Sequence, residues 1–238
     1  MSGRSGETSH VSRHAAIVER LGLDITSGEL SEGLVVRSEE LAQRYAVTRS
    51  VLREGLRVLE TLGMVTSRRN VGVSICPDAE WNVFDPLVIR WRLAGSGRGA
   101  QLRSLTELRS AVEPLAAKLA ATRIADDDGR KLLELAARLV GAADAGDLDA
   151  FLPLDIEFHA LILRASGNEM LRSLESAIGE VLTGRTHHGL MPTHPEPEAR
   201  RLHLEVAKAV AAGEPAKAHA AMQRIVDLAG EEIDAILD

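Results

Sequence analysis

Three arginines at four-residue spacing, Arg49, Arg53 and Arg57, constrain this chain more than any other feature. They lie within residues 39–72, EELAQRYAVTRSVLREGLRVLETLGMVTSRRNVG. At 100° per residue they share one side of a helix, while Val51, Leu52, Gly55, Leu56, Leu59 and Leu62 fall on another. A helix divided in this way buries one face and presents three guanidinium groups on the other. The spacing predicts a helix from Arg49 to about Leu62, with Thr48 as N-cap. Gly63 ends it, because glycine tolerates the left-handed conformation. A shorter helix precedes it, with Leu41, Ala42, Tyr45 and Val47 on its apolar side and Ala46-Val47 as the turn. After Gly63, two β-branched runs flank the basic tip Arg68-Arg69-Asn70, which is the pattern of a hairpin.

That order of elements points to a polyanion. The arginine helix fits the major groove of DNA, with its N-terminal residues at base edges and its arginines on phosphates or guanine. Basic groups on a neighbouring hairpin suit the phosphate backbone. On a lone helix, three arginines would read as a solvated charge stripe. The turn before this helix and the hairpin after it favour the nucleic-acid reading.

AVTRSVLREGLRVLETLGMV resembles the winged helix-turn-helix of GntR-type bacterial transcription regulators. The resemblance implies DNA contacts from Thr48, Arg49, Ser50 and Arg53, and from the wing tip, Arg69, Asn70 and Gly72. Arg57 joins them on the stripe alone. The family arginine that follows a Ser-Glu pair is missing from VVRSEELA, and Arg37 is its nearest substitute. The resemblance also implies a homodimer on double-stranded DNA.

Net charge is −7, which by itself argues against a nucleic-acid partner. Its distribution changes that conclusion. Residues 1–78 hold ten arginines and ten acidic residues, and the rest of the chain carries 18 basic against 25 acidic residues. DNA binding follows the local field at the contact face, so a neutral first part with an arginine edge suffices. No apolar run is long enough to cross a bilayer, and the polar N-terminus lacks the core of a secretory signal. Cys76 is the only cysteine, which excludes an intrachain disulfide and suits a reducing cytoplasm.

The expected organisation is mainly α. Residues 1–10 read as a disordered tail, and 11–76 as the winged helix-turn-helix. Its first helix spans 11–27 on the stripe Ile17, Val18, Leu21 and Ile25, and Leu34-Val35-Val36 is available to pair with the wing. Residues 77–99 read as a linker with a short helix. That segment, WNVFDPLVIRW, holds both tryptophans, either as an anchor between domains or subunits or as plain core. Residues 100–238 read as an all-helical bundle of about six to seven helices. Leu102, Leu105, Leu108, Val112, Leu115 and Leu119 predict its first amphipathic helix, and Asp126-Asp127-Asp128 cap the second. Further helices are expected at 132–145, 148–165, 170–184, 199–212 and 215–237, with a loop at 187–197.

Asp155 and His159 lie four apart on one helical face, and His203 lies on a later helix. Such a set can converge on a divalent metal in a bundle, although a helical His is more often a packing residue. Residues from about 100 to 235 resemble the FCD ligand-binding domain, on LRSAVEPLAAKLAATR, GDLDAFLPLDIEFHALILRASGN and the spacing of His203 from Gly213-Glu214-Pro215. The resemblance implies a metal of Zn, Mn or Ni class held by Asp155, His159 and His203. Its fourth ligand falls on Ile225, which cannot coordinate, and His219 lies nearby on another face. The resemblance also implies that Arg109 holds an anionic effector's carboxylate. Glu113, one turn on, is either a neighbour in that site or an ion-pair partner of Arg109. Asn168 is a ligand candidate or a helix cap. The linker motif and the lost fourth His are similar to a subgroup that includes galactonate-operon repressors, which implies a sugar-acid or hydroxy-acid effector. Two alternatives stand beside this regulator: a hydrolase using a metal on Asp155, His159 and His203, and an acyl-CoA-responsive regulator on the same fold.

Overall fold

The computed structural model describes residues 4–187 and 197–237. The chain forms two compact units, Met1–Arg98 and Gly99–Asp238.

The first unit opens with α1 (Arg4–Thr26), which begins earlier than the hydrophobic stripe alone indicates. The expected tail at 1–10 is therefore helical from Arg4 onward, and residues 1–3 lie outside the described residues. Next come β1 (Val35–Val36), α2 (Ser38–Arg44) and α3 (Arg49–Thr61). The wing is β2 (Val65–Arg68) and β3 (Gly72–Ile75), with Val65 opposite Ile75 and Arg68 opposite Gly72. β1 pairs antiparallel with β3, Val35 opposite Ser74, as the apolar triplet at 34–36 suggested.

The predicted stripes form this unit's core. Ile17, Val18, Leu21 and Ile25 of α1 pack with Val51, Leu52, Leu56 and Leu59 of α3. Leu59 is fully buried, and burial of such a side chain contributes about 2 kcal/mol. The tight turn between α2 and α3 places Ala46 at φ 53°, and Gly63 after α3 sits at φ 72°. At Gly63 a Cβ would also lie 2.2 Å from the Glu80 carbonyl oxygen, so only glycine fits.

The tryptophan segment belongs to this same core. A short 3-10 turn (Asp78–Glu80) leads to α4 (Pro86–Ala94), which Asp85 caps by accepting from the Leu87 amide. Trp91 is fully buried against α1, where Gly22 leaves room for its indole. A Cβ at Gly22 would stand 2.3 Å from Trp91 Cδ2. Residues 81–94 are thus part of the first unit rather than a free linker.

The second unit is helical throughout its described residues: α5 (Arg98–Ala120), α6 (Asp126–Ala145), α7 (Leu148–Ala165), α8 (Glu169–Arg172), α9 (Glu175–His187), α10 (Pro197–Ala211) and α11 (Pro215–Leu237). α6 packs on α7 and α10, α10 on α11, and α7 on α9. Two expectations change. The helix expected at 170–184 is two, α8 and α9, broken at Ser173-Leu174. Asp126, Asp127 and Asp128 occupy the first turn of α6 without capping it, and Ala125 is the N-cap. His187 and Pro197, the ends of the loop expected at 187–197, belong to α9 and α10, and residues 188–196 lie outside the described residues.

The largest departure is the rotation of α5. Its buried face carries Leu102, Leu105, Arg109, Glu113, Ala116, Ala117 and Ala120. Leu108, Val112 and Leu119 are only partly buried, and Leu115 is 42 % exposed. The leucine stripe is thus buried at Leu102 and Leu105 and packs on the core at Val112 and Leu119, but the most buried side is shifted from it and holds an ion pair.

Candidate functional site

Two surfaces carry chemistry, one in each unit. In the first, α3 starts where Thr48 Oγ1 accepts from the Val51 amide at 3.4 Å, the predicted cap. Thr48 Oγ1 also lies 3.1 Å from Ser50 Oγ, so two hydroxyls sit together at this helix start. Arg49, Arg53 and Arg57 follow along the exposed side, their side chains 78 %, 69 % and 63 % exposed. Arg49 and Arg53 have only loose acidic contacts, to Glu39 at 3.5 Å and Glu54 at 3.6 Å, while Arg57 donates to Glu54 at 3.1 Å on the exposed surface. Ion pairs this exposed contribute little, so a phosphate can displace them. Ser67, on β2, lines the same groove as the three arginines, its amide held by Glu60 Oε1 at 3.0 Å.

Arg37, Arg69, Asn70 and Gly72 border one opening at the wing tip. The sheet brings them together, because Gly72 passes Val36 so closely that a Cβ would lie 2.6 Å from the Val36 carbonyl oxygen. Asn70 takes φ 65° in the turn, a conformation Asn accepts more readily than most residues. Tyr45 anchors α2 to α1 behind this surface. Its hydroxyl donates to Asp24 Oδ2 at 2.5 Å, and the guanidinium groups of Arg20 and Arg44 lie over its ring at 4.9 and 5.7 Å from the centroid. Burial, reinforced by Asp24, pushes the Tyr45 hydroxyl well above its ordinary pKa.

In the second unit, α7 and α10 bring Asp155, His159 and His203 into one buried cluster. A ligand atom from each lies within 4.8 Å of the others. Asp155 Oδ1 is 3.2 Å from His203 Nε2 and 3.5 Å from His159 Nε2. α7 begins at the Asp147 cap, which accepts from the Ala150 amide, and ends before Gly167 at φ 64°. Ile225, at the fourth family position, is buried and apolar, whereas His219 is exposed. Among the described residues the set therefore has three donors.

Around it lie more buried charges. Arg109 Nε donates to Glu113 Oε1 at 2.5 Å, both side chains 1 % exposed. Glu113 Oε2 touches His159 Nδ1 without the alignment of a hydrogen bond. Burial would raise the Glu113 pKa, but Arg109 and His159 hold it down at about 2. Burial also opposes ionisation of Asp155, yet its two histidine partners hold it well below the usual carboxylate range. For His159, burial is outweighed by Glu113 and Asp155, which lift it to about 9. Arg109 Nη1 has no hydrogen-bond partner among the described residues, an unusual state for a buried donor.

Arg185 is a site residue that the sequence reading missed. It is buried on α9 and paired with Glu232 at 2.6 Å, and its Nε likewise lacks a partner among the described residues. Burial and the neighbouring Arg109 charge both depress its pKa. One signal was present, since Arg185 continues the helical spacing of Ile178, Val181 and Leu182, an apolar face on which a guanidinium stands out. Asn168, in contrast, is a cap. Its Oδ1 accepts from the Met170 and Leu171 amides at the start of α8, which leaves the proposed ligand role without support.

The three donors fit a divalent ion. Two imidazoles and a carboxylate are a borderline-soft set, and the close atom spacing matches convergence on one centre. When bound, the ion would supply a positive, Lewis-acidic centre for carboxylate or hydroxyl oxygens.

The chain is similar to known proteins over both units. A family model described as FCD domain matches residues 104–228, and one described as bacterial regulatory proteins, gntR family, matches residues 13–75. The galactonate operon transcriptional repressor of Escherichia coli strain K12 is 29 % identical over 69 % of this chain and 72 % of its own. The HTH-type transcriptional regulator LutR of Bacillus subtilis strain 168 is 29 % identical over 83 % of this chain and 90 % of its own. The solved structure of Streptococcus agalactiae GntR has a TM-score of 0.50 at 26 % identity, covering 88 % of this chain and 99 % of that one.

Proposed function

The chain belongs to the FCD-containing branch of the bacterial gntR transcription regulators, and from that premise we propose that it is a dimeric repressor whose operator binding responds to a small carboxylate. The family consists of regulators rather than enzymes, so the hydrolase alternative is set aside.

The buried cluster carries the effector reading. Arg109 has a donor without a partner beside three metal-type ligands, in a unit otherwise packed with apolar side chains. A carboxylate meets both needs, because its oxygens accept from a guanidinium and coordinate a cation. Asp155, His159 and His203 would hold the ion, while Arg109 and Arg185 would orient the anion. The relative named for a galactonate operon favours a sugar acid or hydroxy acid over an acyl-CoA. The small buried charges around Arg109 agree with that preference.

Thr48, Arg49, Ser50, Arg53 and Arg57 would enter the major groove, with Arg37, Arg69, Asn70 and Gly72 on the backbone at the wing. Two such units related by a two-fold would meet a palindrome with half-sites about one helical turn apart. Differential binding of the effector to two dimer arrangements needs only about 1–3 kcal/mol to switch DNA affinity. The lone cysteine suits a cytoplasmic setting, and no described helix is long and apolar enough to cross a membrane.

The test is a gel shift with the upstream region of the chain's own gene, repeated with aldonates, uronates and hydroxy acids and with added divalent metal. Retarded DNA that a member of this panel releases supports the reading. Absence of any DNA retardation by the full-length protein would reject it.

A further inference from the structure

Glu39 is an acidic residue inside a cationic surface. It sits in the first turn of α2 and borders the wing-tip opening together with Arg37, Arg68 and Arg69. Its neighbour Ser38 borders both that opening and the arginine groove of α3. Glu39 Oε1 lies 3.5 Å from Nη2 of Arg49, the first residue of α3. The two side chains are 55 % and 78 % exposed, so their mutual attraction adds little to stability. Two other carboxylates on this side have local partners. Glu54 pairs with Arg53 and Arg57 along its own helix, and Glu60 holds the Ser67 amide. Glu39 instead reaches from one helix to the next. On a surface that meets DNA, phosphates repel it. It is satisfied there only by a donor, and the donors in the major groove are the exocyclic amines of the bases.

The order of groups along each base pair decides which one suits this pair of side chains. Guanine presents two adjacent acceptors, N7 and O6, and its partner cytosine presents the N4 donor beside them. An arginine fork takes the two acceptors, and a carboxylate next to it takes the donor. In an A·T pair the adenine N6 donor stands between two acceptors, adenine N7 and thymine O4, so a fork with a neighbouring carboxylate meets the wrong order.

We propose that Glu39 is a specificity-determining residue that reads one G·C pair jointly with Arg49: Arg49 donates to guanine N7 and O6, and cytosine N4 donates to Glu39. The proposal rests on the DNA-binding reading given above and adds the base pair that two named side chains choose. On the operator, each exchanges its loose contact with the other for a base edge. The carboxylate costs affinity for DNA in general and returns it only at the matching pair, which is how an acidic group among arginines sharpens sequence choice.

The experiment uses the full chain and a randomised pool of double-stranded oligonucleotides. Bound sequences are selected and sequenced for wild type, Glu39→Ala, Glu39→Gln and Arg49→Ala, the last at low salt, where phosphate contacts hold weak complexes together. Gel shifts then follow on the selected site with each of the four base pairs at the assigned position. Wild type selects a G·C pair in each half-site. Glu39→Ala and Arg49→Ala relax that same pair, each by on the order of tenfold in discrimination. Glu39→Gln keeps the preference, because its amide oxygen still accepts from cytosine N4. A plain repulsive charge behaves differently: both Glu39 variants then tighten binding to every sequence alike with an unchanged motif, and that result overturns the proposal. So does relaxation of different base pairs by the Glu39 and Arg49 variants. If Arg49→Ala retains no DNA, the pair that Glu39→Ala relaxes decides alone, and any pair other than G·C overturns the proposal. The regulator reading fails separately. Wild-type protein that selects no motif removes that reading and this inference together, whereas a wild-type motif that Glu39→Ala leaves unaltered removes only this inference.

Discussion

His203 Nε2 lies 3.2 Å from Asp155 Oδ1, across 48 positions of sequence. Nothing local brings them together. α7 and α10 each pack on α6, and burial leaves each side chain few polar groups to meet. Asp155→Asn keeps the shape and removes the anionic ligand. It is expected to lower divalent-metal affinity at least about 100-fold, as read by equilibrium dialysis and elemental analysis. Unchanged metal content would remove the cluster from consideration as a metal site.

Ile225 stands where a fourth ligand is expected, with 8 % exposure. Ile225→His is predicted to tighten metal binding by tenfold or more, at a cost of roughly 1–3 kcal/mol in apolar burial for the metal-free protein. The two effects separate in thermal melts. The variant melts below wild type in chelator and gains more on metal addition. If metal stabilises both proteins equally, position 225 does not face the ion.

Arg49 and Arg53 are mostly exposed, so their removal leaves the core intact. Arg49→Ala and Arg53→Ala are each expected to abolish detectable operator binding at moderate salt while circular dichroism and oligomeric state stay unchanged. If one of them contacts phosphate alone, its loss flattens the salt dependence by about one unit of slope, and a base contact relaxes specificity instead. Wild-type affinity in both variants would refute the groove assignment.

Gly22 gives Trp91 its place. Gly22→Ala forces an overlap that backbone movement must relieve, so the first unit should lose about 1–3 kcal/mol. The shift should appear in denaturant unfolding followed by tryptophan fluorescence. Wild-type stability would mean that α4 does not dock closely on α1.

The buried ions also set a pH dependence for the metal-free protein. His159 has a raised pKa, so its stabilising contribution is complete below about 6.5, its unfolded value, and is lost as pH rises through about 9. Glu113 has a depressed pKa, so its contribution is present above roughly 4.3 and is lost as pH falls through about 2. Melting temperature in chelator should therefore decline between about pH 6.5 and 9, and His159→Gln should remove most of that slope. An identical slope in the variant would assign it to other groups.

The DNA-facing half was legible because local rules decide it. The apolar and arginine faces of α3, the Thr48 cap, the Gly63 stop and the hairpin with its basic tip all depend on residues within a few positions of one another. Asp155 and His159 were legible for the same reason, since one helical turn places them side by side. The rotation of α5 was not. Leucine spacing predicts an inward face that is apolar throughout, but Arg109 and Glu113 compensate each other and His159 supplies a third contact, so a charged pair is buried beside Leu102 and Leu105. Arg185 with Glu232 and Trp91 with Gly22 were equally hidden, because each partner lies far away in sequence. Periodicity reports how polar a side chain is in water; which charges can leave water depends on counter-charges that only the folded packing brings within reach.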